Sequence, residues 1–281
     1  NNTMIKVIGI AGAGQMGTAI AEVNLRAGHT VLLYDNNNEQ LTQSKNQIEK
    51  NIYGSNSKSV LEFNKSHKYI NYSTDIKILR DSDLIIECVT EREEIKSKFY
   101  NKIEKILKHN AIIASNTSSI SIKRLSEHLK KEGNFIGIHF MNPPQIIKLV
   151  EIISHIKTSR EVEEKVQEYI TSLEMVSIKC QDQPGFVINR VLIPMINEAI
   201  YCLYNNVSDI DSIDTALKVG ANHPMGPLQL ADFIGLDTCL NILEILEKDL
   251  NNSKYKPCPL LKKYVNIGKL GRKTKEGFYK Y

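Results

Sequence analysis

The 281-residue sequence contains no apolar run that approaches the ~20 residues needed to span a bilayer. Its formal net charge of +4 is small for a chain of this length. Neither a membrane-spanning protein nor a nucleic-acid-binding protein is therefore expected. The N-terminus leads almost directly into an apolar strand pattern, so we also expect no signal peptide and a cytoplasmic protein.

Cysteine is scarce, odd in number and scattered, and no CxxC pair occurs. This pattern is typical of a reducing compartment and argues against a disulfide framework. No close grouping of cysteine, histidine and carboxylates resembles a metal site, so no metal is expected. The five cysteines are Cys88, Cys180, Cys202, Cys239 and Cys258.

The composition, 42% hydrophobic and 24% charged, is that of an ordinary globular protein. Basic residues do cluster near the end of the chain, at Lys269, Arg272, Lys273 and Lys275. This cluster suits either an anionic ligand or a solvated surface, and the sequence leaves both interpretations open.

A glycine motif between two apolar runs is the most informative feature of the sequence. Gly12 permits a tight turn, Gly14 lets the backbone approach a pyrophosphate, and Gly17 lets a helix pack closely on a strand. The helix that follows directs its N–H groups and positive dipole end at the phosphates. The pattern predicts a dinucleotide site whose loop comprises Gly12, Ala13, Gly14, Gln15, Met16 and Gly17.

Asp35 ends the second apolar run and predicts which dinucleotide binds. Its carboxylate is placed to accept hydrogen bonds from the adenosine ribose and would repel a 2′-phosphate. Asparagines occupy positions 36–38, where an arginine would suit NADP. The sequence therefore predicts NAD as the cofactor.

Strand-like and helix-like segments alternate through the first two-thirds of the chain. Several strands are apolar nearly throughout, as expected when helices cover both faces of a sheet. The alternation predicts an α/β fold with a doubly wound, mostly parallel sheet of the Rossmann type. The predicted strands are 5–10, 30–34, 69–72, 83–89, 111–114, 135–140, 147–153 and 175–179. The predicted helices are 15–27, 38–53, 93–108, 121–131 and 160–174.

The pattern changes to helical spacing near residues 182–185. We predict an NAD-binding domain over residues 1–184 and an all-α domain for substrate and dimerisation over 185–281. A helical unit of that size is too small to bury all its apolar faces alone, so a homodimer is expected.

Polar residues that end the predicted strands are the candidates for chemistry, because ligands of doubly wound sheets lie beyond the carboxyl ends of the strands. His139 lies near such an end, and an imidazole with its ordinary pKa of ~6.5 suits proton transfer from an alcohol. Glu151 lies within an apolar run, where a carboxylate needs a partner, and the imidazole is a natural one. Ser118 and Asn189 are candidates to hydrogen-bond the substrate oxygen.

At this point the chain closely resembles the L-3-hydroxyacyl-CoA dehydrogenases, including the bacterial 3-hydroxybutyryl-CoA dehydrogenases, over essentially its whole length. The motifs that carry the resemblance are GAGQMG, SNTSS, IGIHFMNP, KLVEII, DQPGFVINR, GANHPMGPLQLADFIGLD and GKLGRKTKEGFYKY.

The resemblance implies an N-terminal NAD domain, a helical dimer-forming domain, and an acyl thioester bound in the cleft between them. It implies that His139 is the catalytic base and Glu151 its partner, and that Ser118 and Asn189 contact the 3-oxygen. It also implies NAD contacts at Glu91, Lys96 and Asn116.

One segment departs from the family pattern. A helix with serine and lysines usually holds the CoA nucleotide, and Asn51 and Lys58 are the nearest matches here. A carrier-protein-bound 3-hydroxyacyl group is therefore an alternative, with Lys58, Lys65, Lys123 or Arg124 as candidate contacts. A non-thioester hydroxy or sugar acid and a non-catalytic NAD-binding protein are further alternatives.

Overall fold

The computed structural model describes residues 4–54 and 69–281. The chain divides between Gln183 and Pro184 into two compact units. Among the described residues, no helix combines the length and the apolar character needed to cross a membrane.

The described part of the first unit contains one eight-stranded sheet in the order β3-β2-β1-β4-β5-β6-β7-β8. Neighbouring strands are parallel except for β6 and β7, which are antiparallel. This arrangement confirms the predicted mostly parallel, doubly wound sheet. The strands are β1 (Val7–Ala11), β2 (Thr30–Tyr34), β3 (Ile70–Ser73), β4 (Leu84–Glu87), β5 (Ile112–Ser115), β6 (Phe135–Phe140), β7 (Leu149–Ile153) and β8 (Val176–Cys180).

The central strands are apolar because both of their faces are buried. All residues of β4, β5 and β6 are buried, so these strands show no alternation between core and solvent. The only ionisable side chains in these three strands are Glu87 and His139, and each therefore needs a partner inside the fold.

Helices and short 3₁₀ turns connect the strands of this unit. The helices are α1 (Gln15–Arg26), α2 (Asn38–Tyr53), α3 (Glu93–Ile103), α4 (Ile122–Ser126) and α5 (Arg160–Ser172). The 3₁₀ turns are Ile76–Asp81 and Glu132–Asn134.

Two helices are shorter than predicted. We expected helix over 93–108 and 121–131, but α3 ends at Ile103 and α4 at Ser126. After α4 the chain continues in turns with hydrogen bonds to the third residue back, such as His128 N–H to Leu125 O at 3.2 Å. Apolar spacing does not distinguish such turns from a continuing helix.

The second unit is helical in its described residues. Its apolar core includes Ile196, Ile200, Leu228, Leu243 and Leu261, each fully buried. The helices are α6 (Ile188–Tyr204), α7 (Ile210–Gly220), α8 (Pro227–Ile234), α9 (Leu236–Asp249) and α10 (Pro259–Asn266), with 3₁₀ turns at Ser253–Tyr255 and Arg272–Thr274.

Candidate active site

The glycine turn, residues 12–17, connects β1 to α1. Gly12 has φ of +103°, and a Cβ there would lie 2.5 Å from the carbonyl oxygen of Cys88. A Cβ on Gly17 would lie 1.8 Å from the carbonyl oxygen of Gly12. Both positions therefore require glycine, the first for its backbone conformation and the second for helix packing.

Gly14 differs from these two because no described atom lies within 4 Å of the position its Cβ would occupy. Gly14 is also the N-cap of α1 and makes no side-chain capping bond. The backbone N–H groups of the first turn of α1 thus face a space that an anion can enter. The turn fits the pyrophosphate of a dinucleotide.

Asp35 follows β2 and is hydrogen-bonded to the backbone of the glycine turn. Its Oδ2 accepts a hydrogen bond from Ala13 N–H at 2.8 Å, and its Oδ1 accepts one from Asn37 N–H at 2.9 Å. Asn37 in turn caps α2 by accepting from Glu39 N–H at 2.9 Å. A carboxylate in this position fits a ribose hydroxyl and disfavours a 2′-phosphate.

His139 and Glu151 are directly opposite each other on the antiparallel strands β6 and β7. His139 Nδ1 lies 2.8 Å from Glu151 Oε1, and the two residues are 8% and 0% exposed. Opposed residues of an antiparallel pair have neighbouring side chains, which explains the contact. The arrangement places a carboxylate on one nitrogen of a nearly buried imidazole, as in catalytic triads.

The segment after β5 lies beside this pair. Asn116 Oδ1 accepts a hydrogen bond from Phe140 N–H at 2.9 Å, which joins the segment to the residue after His139. Ser118 lies two residues further on and is held by Glu91, whose Oε2 is 3.1 Å from Ser118 N and 3.4 Å from Ser118 Oγ. The structure therefore connects Ser118 and Asn116 to the predicted cofactor contact Glu91 and to the end of β6.

Lys96, another predicted cofactor contact, is 2% exposed. Its Nζ lies 2.5 Å from Glu87 Oε2, 3.2 Å from the carbonyl oxygen of Val89 and 3.6 Å from Glu91 Oε1. The ammonium is thus held by groups of the protein, and its direct contact with NAD stays a prediction.

Glu87 is a residue that the sequence analysis missed. It is fully buried at the carboxyl end of β4 and also accepts from Tyr100 Oη at 2.6 Å and Ser115 Oγ at 2.8 Å. Burial, followed by the Glu87 charge, raises the pKa of Tyr100 well above its ordinary value, so that the phenol stays a donor. The signal in the sequence was an acidic residue within an apolar strand pattern, the same criterion that selected Glu151.

The remaining predicted residues belong to other elements of the chain or lie outside the described residues. Asn189 lies in the first turn of α6 in the second unit. Asn51 lies near the end of α2, where its Nδ2 donates to Glu22 Oε1 at 2.8 Å. The other carrier candidates Lys58 and Lys65 lie outside the described residues.

Glu22 is a second buried acid that the sequence analysis did not identify. It is 2% exposed, and Gln145 Nε2 donates to its Oε2 at 2.9 Å. Glu22 lies on a cleft of about 460 Å³ beside Gly14, and half of the lining residues are asparagines and glutamines of α1, α2 and residues 142–145. Among the described lining residues there is no lysine or arginine.

The basic residues near the end of the chain are mostly engaged within the second unit. Lys269 pairs with Glu276 at 3.0 Å and Lys273 with Asp237 at 2.5 Å. Arg272 lies over an aromatic ring, 5.2 Å from the centroid of Phe233. These contacts favour the interpretation of the cluster as solvated surface over an anion site.

All five cysteines are free thiols. Burial raises the pKa of Cys180 and of Cys239 to about 12. Burial, and then the charge of Glu87, also raise the pKa of Cys88. These thiols are therefore protonated at neutral pH and unsuited to nucleophilic chemistry.

Residues 7–183 match the family model described as "3-hydroxyacyl-CoA dehydrogenase, NAD binding domain", and residues 185–281 match "3-hydroxyacyl-CoA dehydrogenase, C-terminal domain". The chain is 47% identical over 281 residues to a 3-hydroxybutyryl-CoA dehydrogenase of Bradyrhizobium diazoefficiens, covering 99% of this chain and 96% of that protein. The crystal structure of (S)-3-hydroxybutyryl-CoA dehydrogenase from Ralstonia eutropha has a TM-score of 0.91 at 37% identity over 99% of both chains. That of FadB2 from M. tuberculosis has a TM-score of 0.94 at 33% identity, over 99% of this chain and 100% of that one.

Proposed function

The chain belongs to the 3-hydroxyacyl-CoA dehydrogenase family, and we propose that it interconverts a short-chain (S)-3-hydroxyacyl-CoA, of the 3-hydroxybutyryl type, and its 3-oxoacyl form. It is an NAD-dependent oxidoreductase. The observation that carries the proposal is the 2.8 Å contact between His139 Nδ1 and Glu151 at the carboxyl end of β6. We assign NAD binding to residues 1–184, and substrate binding and dimerisation to 185–281.

His139 is the general base of the proposed reaction. Because Nδ1 is held by Glu151, we assign removal of the 3-hydroxyl proton to Nε2. The buried carboxylate of Glu151 fixes the tautomer and stabilises the imidazolium that forms. NAD held at the glycine turn and Asp35 would supply the acceptor for the hydride that leaves C3. Since oxidation releases a proton, lower pH favours reduction of the ketone.

Ser118 and Asn189 are the proposed donors to the 3-oxygen. The bond from Ser118 N–H to Glu91 Oε2 supports its part, because it fixes the backbone that carries the hydroxyl. For Asn189 the support is its position in the first turn of α6, within the motif that the family shares. A donor directed at the oxygen stabilises the charge that develops there during transfer.

CoA is the proposed carrier of the acyl group, as the names of the relatives suggest. Asn51 gives weak support, because its amide is already bonded to the buried carboxylate of Glu22. Lys58 is still a candidate contact for the CoA nucleotide. A carrier-protein thioester is the alternative, and Lys123 and Arg124 are its described candidate contacts.

Oxidation of NADH tests the proposal with acetoacetyl-CoA, acetoacetyl-pantetheine and an acetoacetyl carrier protein as substrates. We expect the highest kcat/KM with acetoacetyl-CoA. A higher value with the carrier protein would assign the alternative carrier. Turnover of non-thioester hydroxy or sugar acids alone, or NADH binding without any turnover, would contradict the proposal.

A homodimer is the proposed assembly. Several large apolar side chains of the second unit are exposed, among them Val191 at 66% and Val219 at 80%. Exposed apolar residues in a small helical unit favour a partner surface. Sedimentation equilibrium at micromolar concentration should give twice the chain mass of 31.8 kDa, and a monomer mass would contradict this assignment.

A further inference from the structure

Glu87 is a fully buried carboxylate that the proposed chemistry does not use. Its two oxygens accept four hydrogen bonds, from Tyr100 and Ser115 on Oε1 and from Lys96 and the Val89 N–H on Oε2. A buried charge is retained only when it is fully partnered, and this one has partners on α3, on β5 and in the segment after β4. Glu87 therefore joins three elements that meet at the cofactor end of the sheet.

Lys96 lies between two carboxylates but is not equally close to them. Its Nζ is 2.5 Å from Glu87 and 3.6 Å from Glu91. The nearer carboxylate is buried, whereas the side chain of Glu91 is 40% exposed. An ammonium interacts most strongly with the closer and less solvated charge. Glu87 thus takes the larger part of the lysine's interaction and leaves Glu91 to its other partners.

Those other partners of Glu91 are in the segment that carries Ser118. Thr117 Oγ1 donates to Glu91 Oε1 at 2.7 Å, and Ser118 N–H donates to Oε2 at 3.1 Å. The same segment has a second connection to Glu87, because Ser115 Oγ donates to Glu87 and accepts from Thr117 N–H at 3.2 Å. Glu87 is therefore connected to Thr117 and Ser118 in two ways, through Lys96 and Glu91 and through Ser115. Ser118 is the proposed contact of the substrate 3-oxygen.

We propose that Glu87 is a positioning residue that holds Lys96 closer to itself than to Glu91, so that Glu91 keeps its hydrogen bonds to Thr117 and Ser118 and holds Ser118 in place. This inference rests on the proposed function, since Ser118 matters only if it contacts the substrate oxygen. Without the Glu87 carboxylate, Glu91 is the remaining carboxylate partner of Lys96 among the described residues. The ammonium then draws Glu91 closer and weakens its hydrogen bonds to Thr117 and Ser118.

If Glu87 only stabilised the fold, Glu87→Gln would lower kcat by the same factor with and without the Ser118 hydroxyl. A double-mutant cycle with Ser118 therefore distinguishes a structural role from a positioning role. We expect Glu87→Gln to lower kcat about 10-fold in the wild-type background, but less than about 3-fold in a Ser118→Ala background. We also expect Glu87→Gln to raise the Kd of NADH, measured by fluorescence titration without any thioester, about 3- to 10-fold through Glu91 and Lys96. Equal kcat factors in both backgrounds, or an unchanged Kd for NADH, would overturn the proposal.

Asp83→Asn is the matched control, because Asp83 immediately precedes β4 while Glu87 ends it. Asp83 likewise accepts from a backbone N–H, that of Val7 at 2.9 Å, and from a lysine, Lys108 at 3.0 Å. The control should lower the unfolding midpoint and leave kcat and the Kd of NADH within about 2-fold. Kinetic losses as large as those of Glu87→Gln would show that any broken carboxylate contact has the same effect, and would overturn the proposal.

If Glu87→Gln does not fold, Glu87→Gln/Lys96→Met replaces it in the same cycle, because that pair leaves no unpartnered lysine charge inside the fold. With the ammonium gone nothing draws Glu91 away, so the proposal predicts equal kcat factors for this pair in the Ser118 and Ser118→Ala backgrounds. A kcat loss of the pair that depends on Ser118 would overturn the proposal. Turnover of acetoacetyl-CoA by the wild-type enzyme tests the proposed function separately. If that turnover is absent, the proposed function is wrong. The inference about Glu87 is contradicted instead by the kcat ratios, the NADH titration or the Asp83→Asn control.

Discussion

The glycine turn and the His139–Glu151 pair are held by different kinds of contact. Most contacts of the turn come from residues 7–35, with Cys88 and Gln40 as exceptions. The turn itself takes part in its hydrogen bonds through backbone atoms, such as Gly12 N–H and Ala13 N–H. The His139–Glu151 pair instead depends on side chains of two strands meeting in antiparallel register. A shift of one residue in that register would point the two side chains to opposite faces.

The difference indicates whether a substitution in each region should change cofactor affinity or turnover. The glycine turn presents backbone N–H groups and open space, so changes there should act on cofactor affinity. The His139–Glu151 pair presents a charge and a proton acceptor, so changes there should act on turnover. Cofactor affinity and turnover can be measured separately, so substitutions can test whether the two regions act independently.

Replacement of His139 should give the largest effect. His139→Gln should lower kcat by about 10²–10⁴-fold, because general acid–base help is lost. The Kd of NADH, measured by fluorescence, should stay within about 2-fold. His155→Gln is the matched control, since His155 is also 8% exposed but bonds the carbonyl of Glu132, and it should keep its kcat. Full turnover in His139→Gln would show that the base is assigned wrongly.

Glu151→Gln should be the next most severe change. The amide oxygen can still accept from Nδ1, but no charge stabilises the imidazolium, so kcat should fall about 10²–10³-fold. Steady-state kinetics with acetoacetyl-CoA measure this directly. Glu163→Gln serves as the control, because Glu163 pairs with Lys179 on the neighbouring strand β8. If Glu151→Gln changes the affinity for NADH and leaves kcat intact, the two regions are not independent.

The turn at residues 12–17 could be predicted from the sequence because most of its causes are local, whereas its contact with NAD stays a prediction. Gly12, Gly17 and Asp35 act on neighbours in the same β–α–β segment or on a strand beside it, and their spacing alone indicates their parts. His139 and Glu151 were predicted from the cost of burying a carboxylate and from strand ends. The antiparallel pairing of their strands was not predicted, because an apolar strand pattern does not show whether a strand runs parallel or antiparallel to its neighbour.

Glu87 and Asn51 show what the sequence could not indicate. The contact of Glu87 with Ser115 follows from the register of β4 on β5, in which the two residues are opposite each other. The bond between Asn51 and Glu22 depends on how α1 packs beside α2. Contacts of this kind depend on the assembled sheet and its helices, and spacing along the chain does not encode them.

Two alanine substitutions test the glycine turn at moderate effect. Gly14→Ala should raise the Kd of NADH about 10-fold with little change in the unfolding midpoint, because the added methyl meets only the space meant for phosphate. Gly17→Ala should lower stability by about 1–3 kcal/mol, because its methyl overlaps the backbone of the turn. Thermal unfolding and NADH titration of both variants give the comparison. An unchanged NADH affinity in Gly14→Ala would mean that the phosphates do not pass over this residue.

Asp83→Asn should give the smallest effect and one that depends on pH. Burial alone would raise the pKa of Asp83, but N–H groups of Val7 and Lys6 and the Lys108 ammonium outweigh it and hold the pKa below its ordinary 3.8. A lowered carboxyl pKa stabilises the fold above the unfolded-state pKa, and that contribution is lost as pH falls through the folded-state value. The side chain is 30% exposed, so solvent weakens the lysine pair and the backbone donors matter more. We expect the variant to lose about 1–2 kcal/mol at pH 7, with the difference from wild type shrinking below pH 3.8 in urea unfolding. A difference that stays constant from neutral to acid pH would show that the charge of the Asp83 carboxylate does not stabilise the contact between β1 and β4. The comparison between regions held by backbone bonds and regions held by charge would then rest on the His139–Glu151 pair alone.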